Sequence, residues 1–91
     1  MWKVELSRES RKYLSKSEKK VVSSILSKIK NFKEWLEDKG PLSTDVKRLK
    51  RNWEGFYRIR VGNIRIILSL DRDKKIIRIH DIGHRGNVYK T

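Results

Sequence analysis

Hydrophobic positions at the start of the chain alternate with polar ones. Trp2, Val4 and Leu6 are separated by single polar residues, the period of a half-buried strand. Ser7 then suits the N-cap of a short helix that extends through Leu14. The opening segment therefore predicts a strand followed by a helix.

The next segment has the period of an amphipathic helix. Ser17 is a suitable N-cap for it, and Gly40-Pro41 is a helix-ending pair. Between them, apolar residues recur every three or four positions and form one stripe. The residues of this stripe are Val22, Ile25, Ile29, Phe32 and Leu36. A stripe of this length indicates packing on a sheet and is short for a coiled coil.

The second half of the chain predicts three strands, at residues 54–61, 64–70 and 75–82, joined by turns at Gly62-Asn63 and 71–74. The full order is β-α-α-β-β-β. We expect one α+β domain over residues 1–91, with two N-terminal helices on one face of a mainly antiparallel sheet.

Alternation within these strands brings basic residues to a single face. If Tyr57, Ile59 and Val61 face the core, their basic neighbours point away from it. The same reasoning applies to the next two strands. The residues assigned to the outer face are Arg58, Arg60, Arg65, Arg78 and His80. A solvated sheet face carries charge routinely, but arginine in particular suits bidentate phosphate binding.

The charge balance points to a polyanionic partner. The chain has 24 Lys and Arg against 11 Asp and Glu, a net charge of +13. We expect the partner to be nucleic acid, an acidic protein, or both, and the alternative is a basic surface that only confers solubility. No cysteine is present, and two histidines are too few for a convincing zinc site, so we expect no metal and no small-molecule cofactor.

No apolar run exceeds three residues, and the N-terminus lacks the order of a signal peptide. These features predict a cytoplasmic protein that has no membrane partner.

Three segments of the chain resemble the RelE/ParE toxin superfamily. They are Asp45–Lys50, Gly55–Ile67 and Gly83–Tyr89. The hairpin YRIRVGNIRI and the closing GHRxxVY are specific in combination. The resemblance covers nearly the whole chain, because the predicted element order matches as well.

This resemblance implies a toxin of a type II toxin–antitoxin system. Toxins of the RelE branch cleave mRNA in the ribosomal A site and are neutralised by a cognate antitoxin, here expected to be acidic. The ribosome and mRNA are thus implied partners. The positions that match the family's active surface are Arg58, Arg60, Arg65, Arg85 and Tyr89. Because all five are filled, we favour the RelE branch. The alternatives are a ParE-like DNA gyrase inhibitor and a catalytically degenerate module that binds nucleic acid or antitoxin.

The sequence departs from the best-studied RelE pattern at Arg58 and Arg60, where that pattern has lysines. Arginine does not exchange protons near neutral pH, so these two residues suit phosphate binding. Proton transfer would then fall to Tyr89, His84 or His80. A metal-free reaction, in which the 2′-hydroxyl attacks the adjacent phosphate, needs a base and cations.

Within that reaction, Tyr89 is a candidate base and His84 a candidate acid or base. Arg65 and Arg85 would stabilise the phosphate oxygens. A further basic run precedes the hairpin and is either a ribosomal-RNA contact or a solvated loop. It consists of Lys47, Arg48, Lys50 and Arg51.

Overall fold

The computed structural model describes residues 1–42 and 44–84, and of Arg51 the backbone only. In this part of the chain two helices and five strands are present, with a single 3-10 turn, Arg51–Trp53, before the third strand. They are β1 (Lys3–Leu6), α1 (Arg8–Ser15), α2 (Lys19–Leu36), β2 (Asp45–Arg48), β3 (Phe56–Val61), β4 (Ile64–Asp71) and β5 (Ile76–His84).

The strands form one sheet in the order β1-β5-β4-β3-β2. β1 pairs with β5 in parallel, and the other neighbours are antiparallel. The prediction of two helices on a mainly antiparallel α+β sheet is confirmed. β2 was not predicted, because Val46 is the one apolar residue among its four and gives no alternation to detect.

The first helix begins as predicted, and the second helix differs from the prediction at both ends. Ser7 caps α1 as predicted, because its Oγ accepts a hydrogen bond from the Ser10 N–H at 3.1 Å. The prediction of Ser17 as the cap of α2 is wrong. Glu18 occupies that position, and the Ser17 hydroxyl instead donates to the Tyr13 carbonyl at 2.7 Å. α2 also ends at Leu36, before Gly40-Pro41, and Asp38 takes the left-handed conformation (φ 58°).

The core lies between α2 and one face of the sheet. Ile25, Ile29 and Phe32 are buried from the helix side, together with Trp2 near the chain start. The sheet contributes Ile59, Ile66, Leu68, Ile77, Ile79 and Ile82. Burying each aliphatic side chain contributes about 1.5–3 kcal/mol, so this layer fixes which face of every strand is turned outward.

Candidate nucleic-acid-binding face

Four arginines lie on the sheet face opposite the helices, as the alternation predicts. Their core-facing neighbours in β3, β4 and β5 pack against the helices, and this turns the arginines the other way. We call this surface the arginine face, defined by Arg58, Arg60, Arg65 and Arg78.

Like charges stand directly opposite one another on this face. Arg60 pairs in register with Arg65 across β3 and β4, and Lys47 pairs with Arg58 across β2 and β3. Side chains at such positions have Cβ atoms about 4.5–5.5 Å apart, and like charges there are destabilising. The two rows are adjacent, so four cations converge on one small area. Such an area is suited to binding an anion.

Two of these cations are largely withdrawn from water. Arg58 is 6% exposed and Arg65 is 7% exposed. Ile67 is 1% exposed and lies between them, as the register partner of Arg58 and two residues along β4 from Arg65. The Nε of Arg58 has no hydrogen-bond partner among the described residues. A buried guanidinium with unused donors is a costly feature that a bound phosphate would offset.

Asp45 is the carboxylate that balances part of this charge. Its side chain, about half exposed, lies 3.2 Å from Arg58 Nη2 and 3.6 Å from Arg60 Nε. It comes from β2, where it is the register partner of Arg60. Sequence reasoning missed this residue, because β2 itself was not predicted.

His80 lies on the same face, as the alternation with Arg78 predicts, and a β-bulge at this residue returns Ile82 to the core side. The register between β4 and β5 shifts at Ile67 and Leu68, which leaves His80 as the extra residue of β5. The carbonyl of His80 accepts a 2.8 Å hydrogen bond from Ser7 Oγ. Its Nε2 lies 2.7 Å from Ser69 Oγ, and its ring centroid lies 4.9 Å from that of Phe56. Burial of the ring, together with the charge of Arg78, lowers the pKa of His80 from its ordinary value of 6.5.

Not all of the other predicted site residues lie on this face. Lys47 lies on it, whereas Arg48 points to the opposite side as the register partner of Tyr57. Lys50 is exposed just before the 3-10 turn. The Arg51 side chain, Arg85 and Tyr89 lie outside the described residues.

His84 lies at the end of β5 on the helix side. Its ring centroid is 6.4 Å from that of Tyr13 on α1, and the two side chains line a groove with Ile82. The arginine face is on the other side of the sheet.

Among the described residues, no three His, Cys, Asp or Glu side chains form a group that could hold a metal ion. None of the described helices is long and apolar enough to cross a membrane.

The fold corresponds to that of toxins of type II toxin–antitoxin systems. A family model described as the ParE toxin of type II toxin–antitoxin system, parDE, matches residues 4–89. The chain therefore belongs to the ParE toxin family, within the RelE/ParE superfamily, and is a toxin of this type. A search of the curated proteins found no match.

Solved structures of similar fold come from archaea and bacteria. The archaeal RelE–RelB complex from Pyrococcus horikoshii contains a chain 26% identical to this one, with a TM-score of 0.72, and 94% of this chain and 97% of that chain are covered. The RelB–RelE complex from Methanococcus jannaschii shows 27% identity, a TM-score of 0.59 and 88% coverage of both chains. The E. coli RelBE complex shares the fold at 15% identity, with a TM-score of 0.70 and coverage of 96% and 100%.

Proposed function

We propose that this toxin is a ribosome-dependent endoribonuclease that cleaves mRNA in the ribosomal A site. The observation that carries the proposal is the two like-charged pairs, Arg60 opposite Arg65 and Lys47 opposite Arg58, whose charge Asp45 balances only in part. Since such pairs destabilise a sheet in the absence of a ligand, their presence on one face supports an anionic substrate.

The chemistry that fits this face is attack of a 2′-hydroxyl on the neighbouring phosphate. Arg58 and Arg60 would bind the phosphodiester, and Arg65 would stabilise charge that develops on its non-bridging oxygens. The buried positions of Arg58 and Arg65 strengthen these interactions, because water screens them less. The need for a 2′-hydroxyl restricts cleavage to RNA. Arg85 and Tyr89 remain predicted members of the site. His84 was predicted with them, but it lies on the helix side of the sheet, away from the arginine face.

The cognate partner is proposed to be an acidic antitoxin that covers this basic surface. RelE–RelB chains from Pyrococcus horikoshii and Methanococcus jannaschii were solved as toxin–antitoxin complexes. With a net charge of +13, the present chain would attract an acidic segment over long distances.

A second candidate function is inhibition of DNA gyrase without catalysis. The family model that matches residues 4–89 is the ParE model, which favours this alternative. In that case the arginine face would be a binding surface, and no RNA would be cut.

Primer extension on a message translated in vitro tests the proposal. We expect new cuts within codons that appear only during translation. Because a single oxyanion-stabilising donor contributes about 10²–10³ in rate, Arg65→Gln should reduce cleavage by that factor. The matched control is Arg11→Gln, which removes the same charge from an exposed position on α1 and should cleave like the wild type.

A gyrase supercoiling assay on the same protein preparations tests the second candidate function. Intact message together with inhibited supercoiling would refute the nuclease proposal and establish the second candidate. Equal loss of cleavage in Arg65→Gln and Arg11→Gln would show that net charge matters and that the arginine face has no special role.

A further inference from the structure

We propose that His80 is the group on the arginine face that accepts the proton of the attacking 2′-hydroxyl. The inference rests on the proposed nuclease function and goes beyond it, since it assigns the base to a strand residue. The observation behind it is an imidazole at a bulge of β5, on the same sheet face as the buried arginines and held against Ser69 and Phe56.

The backbone at the bulge is held from the first helix. Ser7 Oγ donates to the His80 carbonyl at 2.8 Å, and the Ser7 N–H donates to the Ile79 carbonyl at 2.9 Å. Ser10 Oγ also donates to the Ile79 carbonyl, at 3.4 Å. These contacts fix the backbone of His80, the extra residue. A bulge can direct a functional side chain only if its backbone is held in this way.

The ring is held as well. Ser69 Oγ lies 2.7 Å from His80 Nε2, and the Phe56 ring packs at 4.9 Å. A general base needs such a fixed orientation, because proton transfer depends on geometry before pKa. Ser69 and Phe56 are thus positioning residues in this account.

The position of His80 relative to Arg58 suits the binding of a phosphodiester between them. Ile67 on β4 has Arg58 as its register partner on β3 and Asp81, the residue after His80, as its partner on β5. Strands lie about 4.8 Å apart, so β3 and β5 are about 10 Å apart across this row. The His80 imidazole lies over the neighbouring row, against Ser69 and Phe56. A phosphate above β4, between Ile67 and Ser69, would be approached by the Arg58 guanidinium from one side and by the imidazole from the other.

Among the described side chains, His80 and His84 are the two imidazoles, the side-chain type whose reference pKa lies in the physiological range. His84 packs against Tyr13 on the helix side of the sheet. Of the two histidines, His80 is therefore the one on the same face as the arginines. Tyr89, the other predicted base, lies outside the described residues.

The charges around His80 favour its neutral, proton-accepting form. The ring is partly buried, and Arg78 on its own strand is cationic. Of the carboxylates nearby, Glu5 on β1 and Asp71 on β4 are both paired with Arg78, at 3.4 and 3.3 Å. Asp81 accepts the backbone N–H of Ile82.

In the proposed step His80 Nε2–H is the donor in the hydrogen bond with Ser69 Oγ, which leaves Nδ1 as the acceptor. The O2′–H bond breaks and its proton passes to Nδ1 as the O2′–P bond forms. The P–O5′ bond then breaks, and the leaving oxygen takes a proton from water. The products are a 2′,3′-cyclic phosphate and a 5′-hydroxyl. The resulting imidazolium returns its proton to the hydroxide, which restores the neutral ring.

The test is the pH dependence of kcat/KM for cleavage of mRNA on programmed ribosomes, between about pH 5 and 8. We expect an acid limb that rises through the pKa of His80, because kcat/KM reports the free enzyme. His80→Gln should lower kcat by about 10² or more and remove that limb. Arg78→Gln should move the limb to higher pH, since it removes a cation and leaves Glu5 and Asp71 unpaired.

An NMR titration of the two histidine rings in the free protein supplies a readout that does not depend on activity. The His80 ring should titrate at the same pH as the kinetic limb, and His84→Gln identifies its signal. Circular dichroism of His80→Gln checks that this variant is folded.

Three results would overturn the inference while leaving the nuclease proposal intact. One is a His80→Gln variant with wild-type kcat and an unchanged limb. Another is a raised KM at constant kcat, which would make His80 a substrate-stacking residue. The third is loss of the limb in His84→Gln alone. If the wild type itself cuts no message, the proposed function fails, and the inference with it.

Discussion

Asp45→Asn offers a quantitative test of the arginine face. Asp45 bridges Arg58 and Arg60, at 3.2 and 3.6 Å, and thereby occupies the donors that a phosphate would use. We expect this substitution to increase the affinity for single-stranded RNA while lowering the stability of the fold.

The magnitude follows from the exposure of the carboxylate. The side chains of Asp45 and Arg60 are 53% and 45% exposed, so solvent screens this ion pair and it contributes at most about 1 kcal/mol. The Arg58 side chain is 7% exposed, so loss of its charged hydrogen bond costs more, about 1.5–3 kcal/mol. Loss of the two pairs should therefore cost about 2–3 kcal/mol in the free energy of unfolding. Removal of the competing anion should lower the Kd for RNA by about three- to tenfold, because 1.4 kcal/mol corresponds to a factor of ten.

Fluorescence anisotropy with a short labelled single-stranded RNA, repeated over a range of salt concentrations, measures this change. If one more phosphate is engaged, the slope of log K against log salt should steepen by about 0.7. The control is Asp73→Asn, which makes the same charge change at an exposed position in the turn between β4 and β5. An unchanged or weakened affinity in Asp45→Asn, or an equal gain in Asp73→Asn, would refute the reasoning.

Two further predictions concern the elements that support the site, and one concerns the core. Ser7→Ala removes the α1 cap and a bond to the β5 bulge, so urea denaturation should show a loss of about 1–2 kcal/mol, whereas Ser15→Ala at the exposed helix end should change little. Glu37 accepts the Trp2 N–H at 2.8 Å, and this bond lowers the pKa of Glu37 below its ordinary 4.5. The advantage of the wild type over Glu37→Gln should therefore be complete above that pH and disappear as the pH falls through the lowered pKa; an advantage that persists in acid would contradict this. Ile25→Ala should cost about 2–5 kcal/mol in the same urea assay, and a cost near zero would contradict its burial in the core.

The period of two in the strands made the arginine face predictable. In β3 and β4 every second residue is a large aliphatic or aromatic one, so the direction of Arg58, Arg60 and Arg65 followed from the sequence alone. The helix stripe was equally clear, and Ile25, Ile29 and Phe32 are buried as it requires.

Features that depend on long-range pairing were not predictable in the same way. β2 has too few apolar residues to show a period, and its place at the sheet edge, with Asp45 beside Arg58, follows from pairing with β3. The bulge at His80 is a register shift between two strands, which neither strand encodes locally. The burial of Ile67 on the outward face is a tertiary effect of the same kind.

The measurement that tests the central claim most directly is pulse labelling of protein and DNA synthesis immediately after the toxin is induced in cells. We predict that amino-acid incorporation stops first while thymidine incorporation continues. Cells that express the double variant Arg58→Gln, Arg65→Gln should grow normally, whereas the Arg11→Gln toxin should still arrest growth. Prior arrest of DNA synthesis, or full toxicity of the double variant, would contradict the account.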